Sequence, residues 1–134
     1  MKLVLLALAV TLAVPLAAGT TPEPPAPVIP ALSPDQLTAT IGAGTWLIVE
    51  FGGEHCIPCK AMQPVLQELR DALGDKVVIR NFWIQEHPDV ARAHKIMVMP
   101  TQIVFDPKGT EVLRHQGVYP LAEFRAALAE KGLS

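Results

Sequence analysis

Apolar residues recur along this chain with two different periods, and the change from one to the other marks out the elements. Residues 46–49, Trp-Leu-Ile-Val, form an unbroken apolar run closed by Glu50, as expected of a strand covered on both faces at the centre of a sheet. Beyond it, Met62, Val65, Leu66, Leu69 and Leu73 follow at helical spacing until Gly74 supplies a stop. This predicts one long helix beginning at the Cys-x-x-Cys run, with Pro64 inside it and expected to kink it. Residues 77–84 read as a second strand, and strand, helix, strand in that order implies parallel pairing through a right-handed crossover. Pro88 opens a short helix to about Lys95. Residues 101–105 and 111–116 read as strands joined by Asp106-Pro107-Lys108-Gly109, a link short enough to force an antiparallel hairpin. Leu121, Phe124 and Leu128 mark a closing helix that ends near Gly132. Ahead of all these, Ser33-Pro34-Asp35-Gln36 has the form of a capping box and predicts a helix to about Ile41, broken by Gly42 and Gly44. The sum is an α/β domain: a mixed four-stranded sheet with helices on both faces.

The N-terminal pattern is different in kind. Lys2 precedes a charge-free apolar stretch over residues 3–18, and Ala17-Ala18-Gly19 places small residues where a signal peptidase reads them. Residues 1–19 are therefore expected to be a secretory signal cleaved near Thr20, giving a periplasmic or otherwise extracytoplasmic protein; if uncleaved, they would anchor it to a membrane. The run is shorter than the ~20 residues a spanning helix needs, and Pro15 interrupts it. Residues 20–32 hold Pro22, Pro24, Pro25, Pro27 and Pro30, a composition that favours an extended spacer over packing. The folded domain is expected over residues 33–134.

Composition narrows the chemistry. Half of the 134 residues are hydrophobic, enough for one core and no second. A net charge of −2 with eleven scattered Lys and Arg offers no stripe for phosphates, so nucleic acid is not an expected partner. No glycine-rich phosphate loop occurs either. Redox chemistry, if present, must use the protein's own sulfurs, with no other cofactor.

Both cysteines lie in Glu50-Phe51-Gly52-Gly53-Glu54-His55-Cys56-Ile57-Pro58-Cys59-Lys60. A bare Cys-x-x-Cys is open to three readings: half of a metal site, a structural bridge, or a catalyst. Together with Pro64, Met99-Pro100-Thr101 and Gly117, however, this stretch resembles the active-site pattern of thioredoxin-fold proteins, over almost everything after Ser33. Cys-Ile-Pro-Cys-Lys, with Pro-Thr-Gln-Ile-Val-Phe-Asp and Arg-His-Gln-Gly further on, is similar to exported thioredoxin-like proteins associated with membrane thiol-electron transporters.

That resemblance implies a thiol-disulfide oxidoreductase. Cys56 would be the nucleophile, its thiolate favoured by free amides and the dipole at a helix N-terminus, and Cys59 the resolving thiol one turn in. A bridge closing so short a loop gains little chain entropy, and a zinc site needs about four ligands, which His55, His87, His94 and His115 are not spaced to supply. Glu50, at the end of a doubly covered strand, should be buried, hold its proton tightly and act as base for Cys59. Pro100 resembles the family's cis-proline, Met99 would present its backbone to an extended substrate, and Gly117 would border the same groove. Thioredoxins usually carry aspartate where Glu50 stands, tryptophan where Gly52 and His55 stand, and often lysine where Asn81 stands. His55 and Gly52 are thus where the substrate surface should differ. Lacking room for the insertion of an exported oxidase or the dimerisation domain of an isomerase, the chain is expected to be a monomeric reductant of protein disulfides, recharged by a membrane thiol-electron transporter. Apocytochrome c, a peroxidase and misoxidised proteins are its candidate substrates. The alternative is a periplasmic copper-delivery protein on the same fold.

Overall fold

The computed structural model describes residues 29–134, so the expected signal and most of the expected spacer, over residues 1–28, lie outside the described residues. The strands are β1 Trp46–Gly52, β2 Val77–Trp83, β3 Thr101–Phe105 and β4 Glu111–Gln116; the helices are α1 Pro34–Thr40, α2 Ile57–Leu73, α3 Pro88–Ala93 and α4 Leu121–Glu130. They form one mixed sheet of order β2-β1-β3-β4, parallel between β1 and β2 and antiparallel elsewhere. The four-stranded α/β arrangement is the one the hydrophobic pattern predicts.

The differences have local causes. Glu50 does not end β1: the strand continues to Gly52, because Phe51 is fully buried and keeps pairing with Thr101 and Phe82. α3 stops at Ala93, short of Lys95, whose φ of 55° is left-handed and cannot continue a helix.

Two apolar layers enclose the sheet. On one face Ile48, Ile79 and Val104 pack with Met62, Leu66 and Leu69 of α2 and with Phe124 and Leu128 of α4. On the other face Leu47, Val49, Phe51, Phe82, Ile103 and Phe105 pack with Leu37 of α1.

The packed chain starts ahead of the expected boundary at Ser33. Ile29 is buried, and Ala31 forms a parallel bridge with Asn81 at the outer edge of β2. Asn81 N–H donates to Pro30 O at 2.9 Å, and Leu32 N–H donates to Asn81 O at 2.8 Å. These residues form a strap that satisfies edge groups of β2. The capping box then forms as predicted, Gln36 N–H donating to Ser33 Oγ at 3.3 Å and Ser33 N–H to Gln36 Oε1 at 2.9 Å. Among the described residues no helix is long and apolar enough to cross a membrane.

Candidate active site

Strand register gathers the predicted site at one end of the sheet. β1 leads through residues 53–56 into α2, while pairing of Phe51 with Thr101, and of Thr101 with Gln116, brings the start of β3 and the end of β4 alongside. Cys56, His55, Pro100, Met99 and Gly117 all belong to the connections at that end.

Cys56 is the N-cap of α2, in extended backbone, and its Sγ accepts the Cys59 amide at 3.3 Å. A sulfur in that position receives the donor that a capping oxygen ordinarily takes, together with the positive end of a helix of 17 residues. Both effects favour the thiolate over the thiol when the pair is reduced. Here the pair is oxidised, Cys56 to Cys59, with Cα atoms 5.2 Å apart. Cys56 is half-buried and Cys59 is 1% exposed, so one sulfur can be reached by a partner and the other cannot. Pro58 sits in the first turn, where its missing amide leaves no bond unmade.

Glu50 points into the same face. It is fully buried, and one oxygen, Oε1, accepts Gln63 Nε2 at 3.3 Å, while Oε2 has no partner among the described residues. Burial pushes its carboxyl from 4.5 up to about 8; the neighbouring side chains of Gln102 and Gln63 pull it part of the way back. Gln102 does so from directly across the ladder, although its own carboxamide atoms make no hydrogen bond within 3.5 Å. The reason for Gly52 is also visible: a Cβ there would stand 2.8 Å from Cys59 Sγ and 3.7 Å from Glu50 Oε1. Sulfur and carboxyl thus face one bare patch of strand, and the proton-holding group lies next to the buried cysteine. A cavity of about 300 Å³, lined by Gly53, Glu54, Cys59, Lys60, Gln63 and Trp83, opens beside it. A larger one of about 450 Å³, walled by His94, Lys95, Glu111 and Arg114, touches neither cysteine.

The Met99-Pro100 bond is cis, as the resemblance implied. Gly117 lies against it, its amide donating to Pro100 O at 2.7 Å, and its φ of 91° suits a residue without a Cβ. Met99 is half-buried and makes no backbone hydrogen bond among the described residues. Ile57, Met97, Val98 and Val118 are large apolar side chains left exposed around this end. His55 is exposed in the turn before Cys56.

The structure also brings in residues that the sequence did not single out. Gln63 hydrogen-bonds Glu50 from α2, and Asn81, read only as a missing lysine, pairs with Gln63 by two bonds. Asn81, Glu50, Gln102 and His115 stand in one registered row across all four strands. A helical offset of four from Cys59 to Gln63, and a glutamine inside the apolar run of β3, were the available signals. Among the described residues no three His, Cys, Asp or Glu side chains are grouped to hold a metal.

The family model for thioredoxin matches residues 29–130, from the strap to the end of α4. The chain belongs to the thioredoxin family. It is 34% identical over 84 residues to a thioredoxin of Alicyclobacillus acidocaldarius, covering 63% of this chain and 79% of that one. Of several other curated thioredoxins it spans between 44% and 66% of their length. Among solved structures, chloroplastic thioredoxin z superposes with a TM-score of 0.72 at 22% identity, covering 81% of this chain and 98% of that one, which speaks to the fold. Oxidised mitochondrial thioredoxin 3 of Saccharomyces cerevisiae gives 0.62 at 28% identity, with 78% and 92% covered. The chain is therefore a thiol-disulfide oxidoreductase, with Cys56–Cys59 as its redox-active disulfide.

Proposed function

We propose that this thioredoxin-family protein is an extracytoplasmic reductase of protein disulfides. Its support is the pairing of one reachable sulfur, Cys56, with one buried sulfur, Cys59, beside a carboxyl that holds a proton near neutral pH. In the reduced protein, Cys56 thiolate attacks a substrate disulfide; the substrate S–S bond breaks, one substrate sulfur leaves and takes a proton from water, and a mixed disulfide forms. Glu50, in the ionised form it takes as pH approaches its raised value, accepts the Cys59 proton, and the Cys59 thiolate attacks Cys56 Sγ. The bond from Cys56 to the substrate breaks, the Cys56–Cys59 bond forms, and the second substrate sulfur leaves as a thiolate. Two electrons have passed from the dithiol to the substrate. Met99, with its free backbone groups next to cis Pro100, supports docking of an extended substrate segment by strand addition. The apolar rim of Ile57, Val98 and Val118 favours an apolar partner segment, with His55 and Gly117 at its border.

Location rests on the pattern of residues 1–19, and direction follows from location: in an oxidising compartment a reductant must be recharged. No flavin or nicotinamide motif occurs, so the electrons come from a membrane thiol-electron transporter that meets the same face, with the protein acting as a monomer. Copper delivery is the weaker reading, because the cysteines have no third ligand grouped with them among the described residues.

The test is made in cells. Cys56→Ser should abolish exchange, and Cys59→Ser should retain partner proteins as mixed disulfides whose identity gives the substrate. Trapping of wild-type thiols should find the pair mostly reduced, and oxidised once the transporter is deleted. A pair that stays oxidised throughout would end the reductase reading.

A further inference from the structure

The Glu50 carboxyl has a carboxamide and no charged group as its hydrogen-bond partner. From α2 it is faced by Cys59 and Gln63, from β2 by Asn81, from β3 by Gln102, and beyond Gln102 in the same row by His115 of β4. The charged residues lining the cavity beside Cys59 are Lys60 and Glu54, and both are exposed. No charged group contributes to its shifted ionisation.

The orientation of this neutral set is dictated from the edge of the sheet. Ile29 O is a backbone carbonyl and can only accept, so Asn81 must turn its Nδ2 toward it, at 2.8 Å. The second Nδ2 proton goes to Gln63 Oε1 at 3.0 Å. Gln63 Nε2 is thereby turned toward Asn81 Oδ1 at 3.1 Å, Cys59 O at 3.3 Å and Glu50 Oε1 at 3.3 Å. One carbonyl of the strap settles both carboxamides and leaves a donor, not an acceptor, at Glu50. A donor at Oε1 steadies the carboxylate and leaves the unpartnered Oε2 as the oxygen that carries the proton.

We infer that Gln63 and Asn81 are positioning residues for Glu50, a carboxamide relay anchored on Ile29 O that fixes which oxygen is protonated and how readily the proton leaves. The inference rests on the reading of Glu50 as the base for Cys59 only for its catalytic consequence, and the two can fail separately. With no cation in the relay, the carboxyl keeps its proton in the resting oxidised protein and becomes an effective base only as pH rises.

The experiment uses the full chain in its oxidised form, where no thiol titrates, with the Glu50 side-chain carboxyl followed by carbon NMR as pH is raised. Gln63→Met keeps volume and helix propensity while removing the donor, and should move the titration midpoint upward by roughly one unit, the worth of one hydrogen bond to a charged group. Asn81→Lys adds an opposite charge to the same row and should move it downward by about one to three units. Midpoints unchanged in folded variants would overturn the inference; if Asn81→Lys does not fold, Gln63→Met decides alone. The rate at which Cys59 clears a mixed disulfide, measured against pH in the reduced variants, tests the other reading. Rates that follow the carboxyl support Glu50 as base, and they should stop responding to Gln63→Met in a Glu50→Gln background. A carboxyl that moves while the rates do not would leave the relay standing and remove Glu50 from the base role.

Discussion

The two faces of the sheet are built from the same four strands and obey different rules. On the face toward α1, Leu47, Val49, Phe51, Phe82, Ile103 and Phe105 are all apolar and all buried. On the face toward α2 the lower row is just as apolar, Ile48 with Ile79 and Val104, but the row above it is Asn81, Glu50, Gln102 and His115. Three of those four are buried as fully as the phenylalanines opposite. Burying polar groups costs free energy that an apolar row would not, by roughly one to three kcal/mol for each group left unmatched. A thiol pair lies over that row and nothing comparable lies over the other face. The first face holds the fold together, and the second gives up part of that stability to keep a proton beside a sulfur.

Four measurements would break or sharpen this contrast. Phe51→Ala, on the apolar face, should lower unfolding free energy by about 4 kcal/mol in urea titration, through lost burial and the cavity left among Phe82 and its neighbours. It should leave the Glu50-dependent fall in stability toward pH 8 in place. That pH dependence belongs to Glu50: its carboxyl titrates near 4.5 when unfolded and near 8 when folded, so between those values the folded protein holds a proton the unfolded chain has released. The stabilisation is complete below the lower value and lost as pH rises through the upper one. The oxidised protein should therefore lose on the order of 3 kcal/mol from pH 5 to pH 8, and Glu50→Gln should flatten that slope. Gly52→Ala sets a Cβ against Cys59 Sγ and should cost about 2 kcal/mol, read as a lower midpoint in urea. Ser33→Ala, at the exposed cap of α1, removes a capping bond and should cost about 1 kcal/mol, with exchange rates untouched.

How much of this the sequence disclosed follows the same division. Elements whose residues do one job were legible: β3 and β4 have the ends that the apolar pattern and the Asp106-Pro107-Lys108-Gly109 turn predict, and α1 starts where its capping box says. Residues with two jobs were misread. Glu50 is buried as its place in a doubly covered strand predicts, but it is a mid-strand residue and not the strand's end, because Phe51 and Gly52 continue the pairing beyond it. The relay from Ile29 through Asn81 to Gln63 spans segments far apart in the chain, and no periodicity links a proline-rich stretch to one helix position. The cis bond at Pro100 was available only through resemblance, since the local sequence reads equally well as an ordinary strand entry.

The strap has a mechanical side. Its bridge to β2 is parallel, and its three hydrogen bonds to Asn81 involve Ile29, Pro30 and Leu32. Tension on the chain ahead of Ile29 is borne first at Asn81, by bonds sheared together rather than peeled one after another. The residue that takes this load, through its backbone and its carboxamide, is also the one that aims Gln63 at the acid, so the edge strap and the proton-holding group are joined through Asn81.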